Sequence, residues 1–556
     1  MKIIFSLSFI ISLHLSGYAQ APSITSFSPA SGPIGATVTI TGTSFSTNPS
    51  NNIVFFGASR AVVTAAATTS LSVTVPVGAT CEPITVTTGG LTGYSTQRFM
   101  VTHSGGSLSF NEKICFPVGS NPREMAMADL NNDGHLDLIV TLTDVSTAAL
   151  FFGNGNGTFQ SPVSITTGSG GALTVGDFSG DGVLDLAFAN YSASANATAS
   201  VLINNGTGNF PVTDTYFLSN PPVGIGSGAV YIADADFNLD GNVDLVSAID
   251  NIPGSLSVLL NNGTSFNPKV EYPTNDNYPY SVTAADLNND MYPDWVIANF
   301  FSQTAKVFIN NGTGGILSEA TYVTGSGSHE VEIADLNKDG HLDLIVVNAT
   351  GNSLSVLLND GSGGFSPKTD YPAGTGYQPD VELADIDGDG NIDAVAGSSG
   401  TQIFIMKGDG VGGFDIPQLF EVGSSPFGIA VGDLDEDGEP DIATVNFGEG
   451  TICILLSKPP PSPEINIYNA LSPNGDGKNE SFFIQHIDLI PETQNNSVRI
   501  FNRWGDEVWS GKNYNNITVK FEGLNNNGKE LPGGIYFYKI ELGNGEIKSG
   551  FISLKR

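Results

Sequence analysis

The sequence predicts an all-β protein: a seven-bladed β-propeller with a small β-sandwich on either side. Three observations carry this. The chain of 556 residues holds 67 Gly and abundant Val, Ile, Thr and Phe, with no long run of helical apolar period, which is the composition of short strands and tight turns. One nine-residue phrase, Asp-x-[Asn/Ser/Asp]-x-Asp-Gly-x-x-Asp, recurs seven times at intervals of about 50 residues, and a fixed period of that length signals a repeat architecture. Between the copies lie hairpin signatures such as GNGNGTF, NNGTGNF and NDGSGGF, whose Asn-Gly and Asp-Gly pairs supply the positive φ that two-stranded turns need.

At the N-terminus, Lys2, an apolar stretch from Ile3 to about Leu15 and Gly17-x-Ala19 read as an export signal over residues 1–19. No Cys follows the cleavage site, which argues against a lipid anchor, and no stretch is long enough for a membrane span. Residues 21–103 alternate apolar and polar positions in short runs, VTITGTSF, NIVFFG and LSVTVP, with Pro and Gly between them, the pattern of a small sandwich. The segment PSITSFSPASGPIGATVTITGTSF, followed by VFFG and VTVP, resembles the IPT/TIG family of immunoglobulin-like domains. That resemblance implies a fold and almost nothing about function.

Residues 107–457 carry the repeats. An apolar strand runs into each Asp loop (IAVGDL), a second leaves it (LDLIV), a third leads to the hairpin, and a fourth often places Tyr or Phe before Pro. Four short antiparallel strands, seven times over, describe propeller blades. There are seven Asp loops but six hairpins. The missing fourth strand is SFNEKICFPVG, from Ser109 to Gly119, which aligns with GFSPKTDYPAG, from Gly364 to Gly374. The first strand is therefore expected to complete the last blade and close the ring. The same alignment sets Cys115 opposite Cys453, which predicts a disulfide in an exported chain. Cys81 has no evident partner.

Oxygen side chains at alternate positions, with a Gly that allows a sharp turn, are what a hard cation such as Ca²⁺ needs. Side-chain ligands are expected at positions one, three, five and nine, and a backbone carbonyl at position seven. The first loop supplies Asp129, Asn131, Asp133 and Asp137 with the His135 carbonyl, and the second Asp177, Ser179, Asp181 and Asp185 with that of Val183. The third supplies Asp236, Asn238, Asp240 and Asp244 with Asn242, and the fourth Asp286, Asn288, Asp290 and Asp294. The fifth supplies Asp335, Asn337, Asp339 and Asp343 with His341, and the sixth Asp385, Asp387, Asp389 and Asp393 with Asn391. The seventh supplies Asp433, Asp435, Asp437 and Asp441 with Glu439. Up to seven Ca²⁺ ions are expected. Met291 replaces the Gly of the fourth loop, so that turn is expected to be strained or altered, which puts its calcium occupancy in doubt. The His135 and His341 side chains are expected to have no role, since only their carbonyls are needed. Ordinary Asx turns are the competing reading of any single loop.

The net charge of −35 is concentrated: 25 of the 56 Asp and Glu lie inside the seven loops. No basic stripe is present, so nucleic acid is not an expected partner. After a Pro-rich linker over residues 458–464, residues 465–556 read as a second small sandwich. Its phrases NALSPNGDGKNESFFI, VRIFNRWGDEVW, LPGGIYFYKI and GFISLKR resemble the type B, gliding-motility-associated C-terminal sorting domain of the type IX secretion system of Bacteroidota. This implies delivery by that machinery, and a place at the outer cell surface or in the medium. Asn474-Gly475-Asp476-Gly477 in this segment is read as a turn.

The repeats resemble the FG-GAP/VCBS family of integrin α-like propellers, which implies calcium loops on one face and partner docking on the other. The other face carries Asn190-Tyr191, Asn299-Phe300, Asn446-Phe447, Tyr278, Tyr280, Tyr377 and Phe427. Rings there could stack on sugars or anchor a protein; alternatively the Asn side chains cap strand ends and the rings pack between blades. There is no HExxH, GxSxG, CxxC or Walker A motif, and no catalytic residue is assigned. The sequence therefore predicts an exported, calcium-stabilised adhesion or recognition protein for an unspecified glycan or protein. The alternative is a polysaccharide-active enzyme or accessory module with its site on the face opposite the calcium loops.

Overall fold

In the computed structural model, the described residues are 20–556 apart from 58, 104–107, 144, 169, 192–196, 220–227, 251–252, 375–379, 459–464, 477, 488–494 and 544. The export signal, most of the Pro-rich linker, Tyr377 and Gly477 lie outside them. The chain divides into two compact units, one ending at Pro459 and one from Pro460 onward.

The first unit opens with a sandwich. Seven strands join in one order, and the long strand Ser59–Ala67 pairs with both Asn52–Phe56 and Ser70–Thr74. Strict alternation in Thr37–Thr43 puts Val38 and Ile40 inside, against Val54, Phe56, Leu71, Val73 and Phe99. Seven four-stranded antiparallel sheets follow, and the first strands of successive sheets touch around a closed ring, with Pro122–Ala128 meeting Pro426–Gly432. The chain is thus an all-β protein with a seven-bladed propeller.

Each second strand is buried along its whole length, as in Asp137–Leu142 and Asp343–Asn348, because neighbouring blades cover both its faces. The cores lie between blades; Phe237 and Trp295, with ring centroids 5.3 Å apart, sit between the third and fourth. A polar tie crosses each of several such seams. The Asn that begins the hairpin signature is a turn residue by sequence. In the structure Asn204, Asn261, Asn310 and Asn359 are buried, and their Nδ2 groups donate to Leu130, Phe178, Phe237 and Leu287 of the preceding blade at 2.7–2.9 Å. Each also donates to a carbonyl of its own blade, to Leu184 or Val243 for example.

The last blade is completed by Ile114–Pro117, which pairs with Thr451–Leu455 in the register Cys115 to Cys453. The two cysteines are joined as a disulfide with Cα atoms 4.1 Å apart, across a sequence separation of 338. Cys81 is a free thiol that packs against the core between the fifth and sixth blades.

In the second unit a five-stranded sheet contains Gly534–Glu541 and Ile547–Leu554, with a two-stranded sheet beside it. Its core gathers Phe482, Ile500, Tyr514, Phe521 and Ile552. Asn474 and Asp476 form a local turn in which the Asp476 amide donates to Asn474 Oδ1 at 3.1 Å.

Because the disulfide ties the two ends of the ring, replacing both cysteines with Ser is expected to lower stability by about 2–4 kcal/mol. Urea unfolding measures this, and non-reducing peptide mapping should recover Cys115 and Cys453 in one linked species.

Candidate functional site

The Asp loops all sit at one end of the ring and share one hydrogen-bond scheme. In six loops the position-one carboxylate accepts from the amides of positions five and six, as Asp129 does from Asp133 and Gly134 at 3.1 Å each; in the sixth, Asp385 accepts only from Gly390 and the Asp389 amide turns to Asp387. Position five then accepts from the amide of position seven, at 2.8–2.9 Å in every loop. Position nine, assigned by sequence only as a ligand, also has a structural task. Asp137 Oδ2 accepts from the Leu130 amide at 3.0 Å and Oδ1 from the Gly153 amide at 2.9 Å. The equivalents recur in all seven blades, on Asn204, Asn261, Asn310, Asn359, Gly408 and Ser457. The ninth Asp thus pins each loop to the end of its third strand.

Two left-handed residues shape each turn, at positions four and six. Position six has φ between 83° and 92° in the six loops that have Gly there. Met291 keeps the turn at φ 78° and its amide still reaches Asp286 at 2.9 Å. The fourth loop is therefore strained rather than altered.

Burial pushes the position-nine carboxyls up in all seven loops. Asp244 rises to about 9 and Asp441 to about 8, against amide hydrogen bonds that lower them and neighbouring carboxylates that add to the rise. In the sixth and seventh loops, Asp385, Asp387 and Asp393, and likewise Asp433, Asp435 and Asp441, bring one oxygen each within 4.8 Å of one another. Asp385 Oδ1 is buried and accepts no hydrogen bond among the described residues. An orphaned buried carboxylate oxygen beside two others is a donor set that fits a hard cation. Lys407 already pairs with Asp387 from the side, so the sixth loop has a built-in competitor.

Histidine side chains were expected to be idle here, and they are not. His135 pairs with Glu436 of the seventh loop, and His341 Nδ1 lies 3.3 Å from Asn289 of the fourth. Lys338 donates to Asn391 of the sixth at 2.6 Å. In each case position four of one loop meets position seven of the next, so the loops are laced around the ring. A single repeat carries no signal of this contact.

The N-terminal sandwich covers the loop end. Its Ile53 and Phe55 join the core between the first and second blades. Tyr94 donates to Asp234 at 3.3 Å and Arg98 lies 3.5 Å from Glu332, both on innermost strands. Between this domain and those strands is a cavity of 410 Å³, lined by Tyr94, Arg98, Asp234, Glu332 and Glu382 among others.

Further along the axis, Glu124, Glu330 and Asp380 are buried together. Burial, with Asp380 close by and Arg123 opposing, pushes Glu124 to about 8. Glu330 is held well above the carboxylate range and hydrogen-bonds Asp380, while Tyr231 donates to Glu330.

Above these acids, at the end away from the loops, aromatic rings close the mouth. The Arg123 guanidinium lies 5.6 Å from the Tyr280 centroid and 5.3 Å from that of Phe427. His329 stacks on Tyr280 at 4.1 Å, and Tyr278, Phe300 and Phe301 continue the cluster at 4.8–5.1 Å. Phe447 adjoins Phe427 at 6.2 Å. Phe301 is 62% exposed and Phe447 39%. Of the two readings the sequence left for these residues, strand-end capping and packing between blades holds for some. Asn190, Asn299 and Asn446 do cap strand ends, through Thr198, Thr304 and Thr451, and Tyr191 packs between blades. Tyr278, Tyr280, Phe300, Phe427 and Phe447 meet over the mouth instead. Arg123 was missed because it belongs to the first blade and its partners to the fourth and seventh.

Fold and loops define an all-β repeat protein. Residues 129–188, 236–297, 286–346, 335–396 and 385–444 match the FG-GAP-like repeat, residues 22–101 the IPT/TIG domain, and residues 465–554 the CHU_C type IX secretion signal domain. The chain carries all three, and its signal domain directs it through type IX secretion to the outer surface or the medium. Among the described residues no helix is long and apolar enough to cross a membrane. Among curated proteins none matches. Similar solved structures include an auxiliary nutrient binding protein from Bacteroides ovatus, 13% identical, covering 80% of this chain and 99% of that one, with a TM-score of 0.38. An Agrocybe aegerita lectin that recognises non-reducing terminal N-acetylglucosamine is 16% identical, covering 73% and 94%, with a TM-score of 0.37. A streptogramin B lyase is 16% identical, covering 62% and 98%, with a TM-score of 0.43.

Met291→Gly is expected to relieve left-handed strain and, after the added chain entropy of Gly, to stabilise by about 0.5–1 kcal/mol in urea unfolding. The axial acids give a second expectation. Burial raises the folded pKa of Glu124 from the ordinary 4.5 to about 8, so its contribution to the fold is fully present below pH 4.5 and is lost as pH rises through about 8. Stability should fall between pH 5 and pH 9, and Glu124→Gln should flatten that slope in a pH series of melting curves.

Proposed function

We propose that this chain is a calcium-stabilised recognition protein of the outer surface, which binds a glycan or a protein ligand at the propeller mouth opposite the Asp loops. One observation carries the reading: the loop end is covered by the N-terminal sandwich, whereas the other end presents a contiguous aromatic cluster with Phe301 and Phe447 exposed. Apolar rings beside a guanidinium give both stacking area and a hydrogen-bonding group, the combination found in binding hot spots.

The loops supply hard oxygen donors, and bound Ca²⁺ would neutralise carboxylates that otherwise repel across a few ångströms. Extracellular calcium modules bind with Kd on the order of 10⁻⁴ to 10⁻³ M, so the ions are structural here rather than sensory.

Two measurements test this. The melting temperature should rise with millimolar Ca²⁺ over EDTA; no shift would mean that the loops are metal-free turns. On arrayed glycans and surface proteins, Phe301→Ala and Phe447→Ala should each weaken the ligand found by about tenfold without changing the melting temperature. Undiminished binding would move the site elsewhere, and turnover of a polysaccharide would replace recognition with catalysis.

A further inference from the structure

We propose that the Asp loops are also the seat of the N-terminal domain, so that metal filling of the loops and docking of that domain are one linked equilibrium. This rests on the reading of the loops as calcium sites. The contacts that carry it fall on one loop position. The Thr92 amide donates to the Gly241 carbonyl at 2.7 Å, the Gln97 side chain to that of Gly340 at 3.4 Å, and His103 Nδ1 to that of Gly438 at 2.7 Å. These are the position-six glycines of the third, fifth and seventh loops, each held at φ 86–90°. Side chains press on the same surface: a Cβ on Gly182 would come 1.9 Å from Ile53 Cδ1, and one on Gly241 2.7 Å from Leu91 Cβ. The loop glycines thus serve the turn and the close approach of a second domain.

Position six lies between the side-chain ligand at position five and the carbonyl ligand at position seven. Its own carbonyl lies in the peptide plane that joins positions six and seven, between the two groups on which the ion would act. Without a cation, three or more carboxylates face one another across each loop, and their repulsion acts on that same plane. The three acceptors that hold the domain then lose their common alignment. Linkage makes the effect reciprocal: whatever metal contributes to docking, docking contributes to metal affinity. Release of the domain would also open the cavity of 410 Å³ that it covers.

Hydrogen exchange on the full chain reads this directly, because the Thr92 amide is itself a docking bond. The probe is Ca²⁺ alone, against EDTA. Exchange in Leu91–Arg98 should quicken by about tenfold or more in EDTA, while Thr37–Thr43, inside the domain's own sandwich, stays protected. Asp240→Asn, in the third loop, should quicken Thr92 exchange even with Ca²⁺. Asp389→Asn, in the sixth loop, which receives no hydrogen bond from the domain among the described residues, should not. A calcium-dependent melting temperature with unchanged exchange in Leu91–Arg98 would overturn this inference and leave the calcium sites standing. Equal effects of the two variants would also overturn it. No calcium effect on melting or exchange would remove both.

Discussion

Each blade is organised around a fully buried aspartate. The ninth loop residue, Asp137 in the first blade, accepts one amide from the start of its own loop and one from the end of the third strand. A buried carboxylate is costly unless its oxygens are satisfied, and here backbone amides satisfy both at once. The loop's shape, the spacing of the first three strands and the position of the hairpin all follow from those two bonds. Since the arrangement recurs seven times, small errors would accumulate around the ring if it were looser.

Closure then depends on contacts that cross blade boundaries. Buried Asn side chains reach back to the preceding blade, and loop side chains such as His135 and Lys338 reach sideways. The disulfide joins the first-entering strand to the last blade. The packed ring leaves a narrow axis lined with acids whose pKa values burial raises, and both ends of that axis are covered, by a domain at one and by aromatic rings at the other. The two ends therefore differ in kind: one is an intramolecular interface seated on loop carbonyls, the other a side-chain surface facing outward.

By itself the sequence determined the blade count, the ring closure by the first strand and the pairing of Cys115 with Cys453, because these follow from local periodicity and from counting motifs along the chain. It also located the loops, whose turn chemistry is set within nine residues. The tertiary structure alone decided what lies next to what across blades: the lacing of His135 to Glu436, the meeting of Arg123 with Tyr280 and Phe427, and the seating of Thr92, Gln97 and His103 on loop glycines. These partners are separated by up to 335 residues, and their approach is fixed by the curvature of the closed ring. No local pattern encodes that curvature; it comes from how seven blades pack.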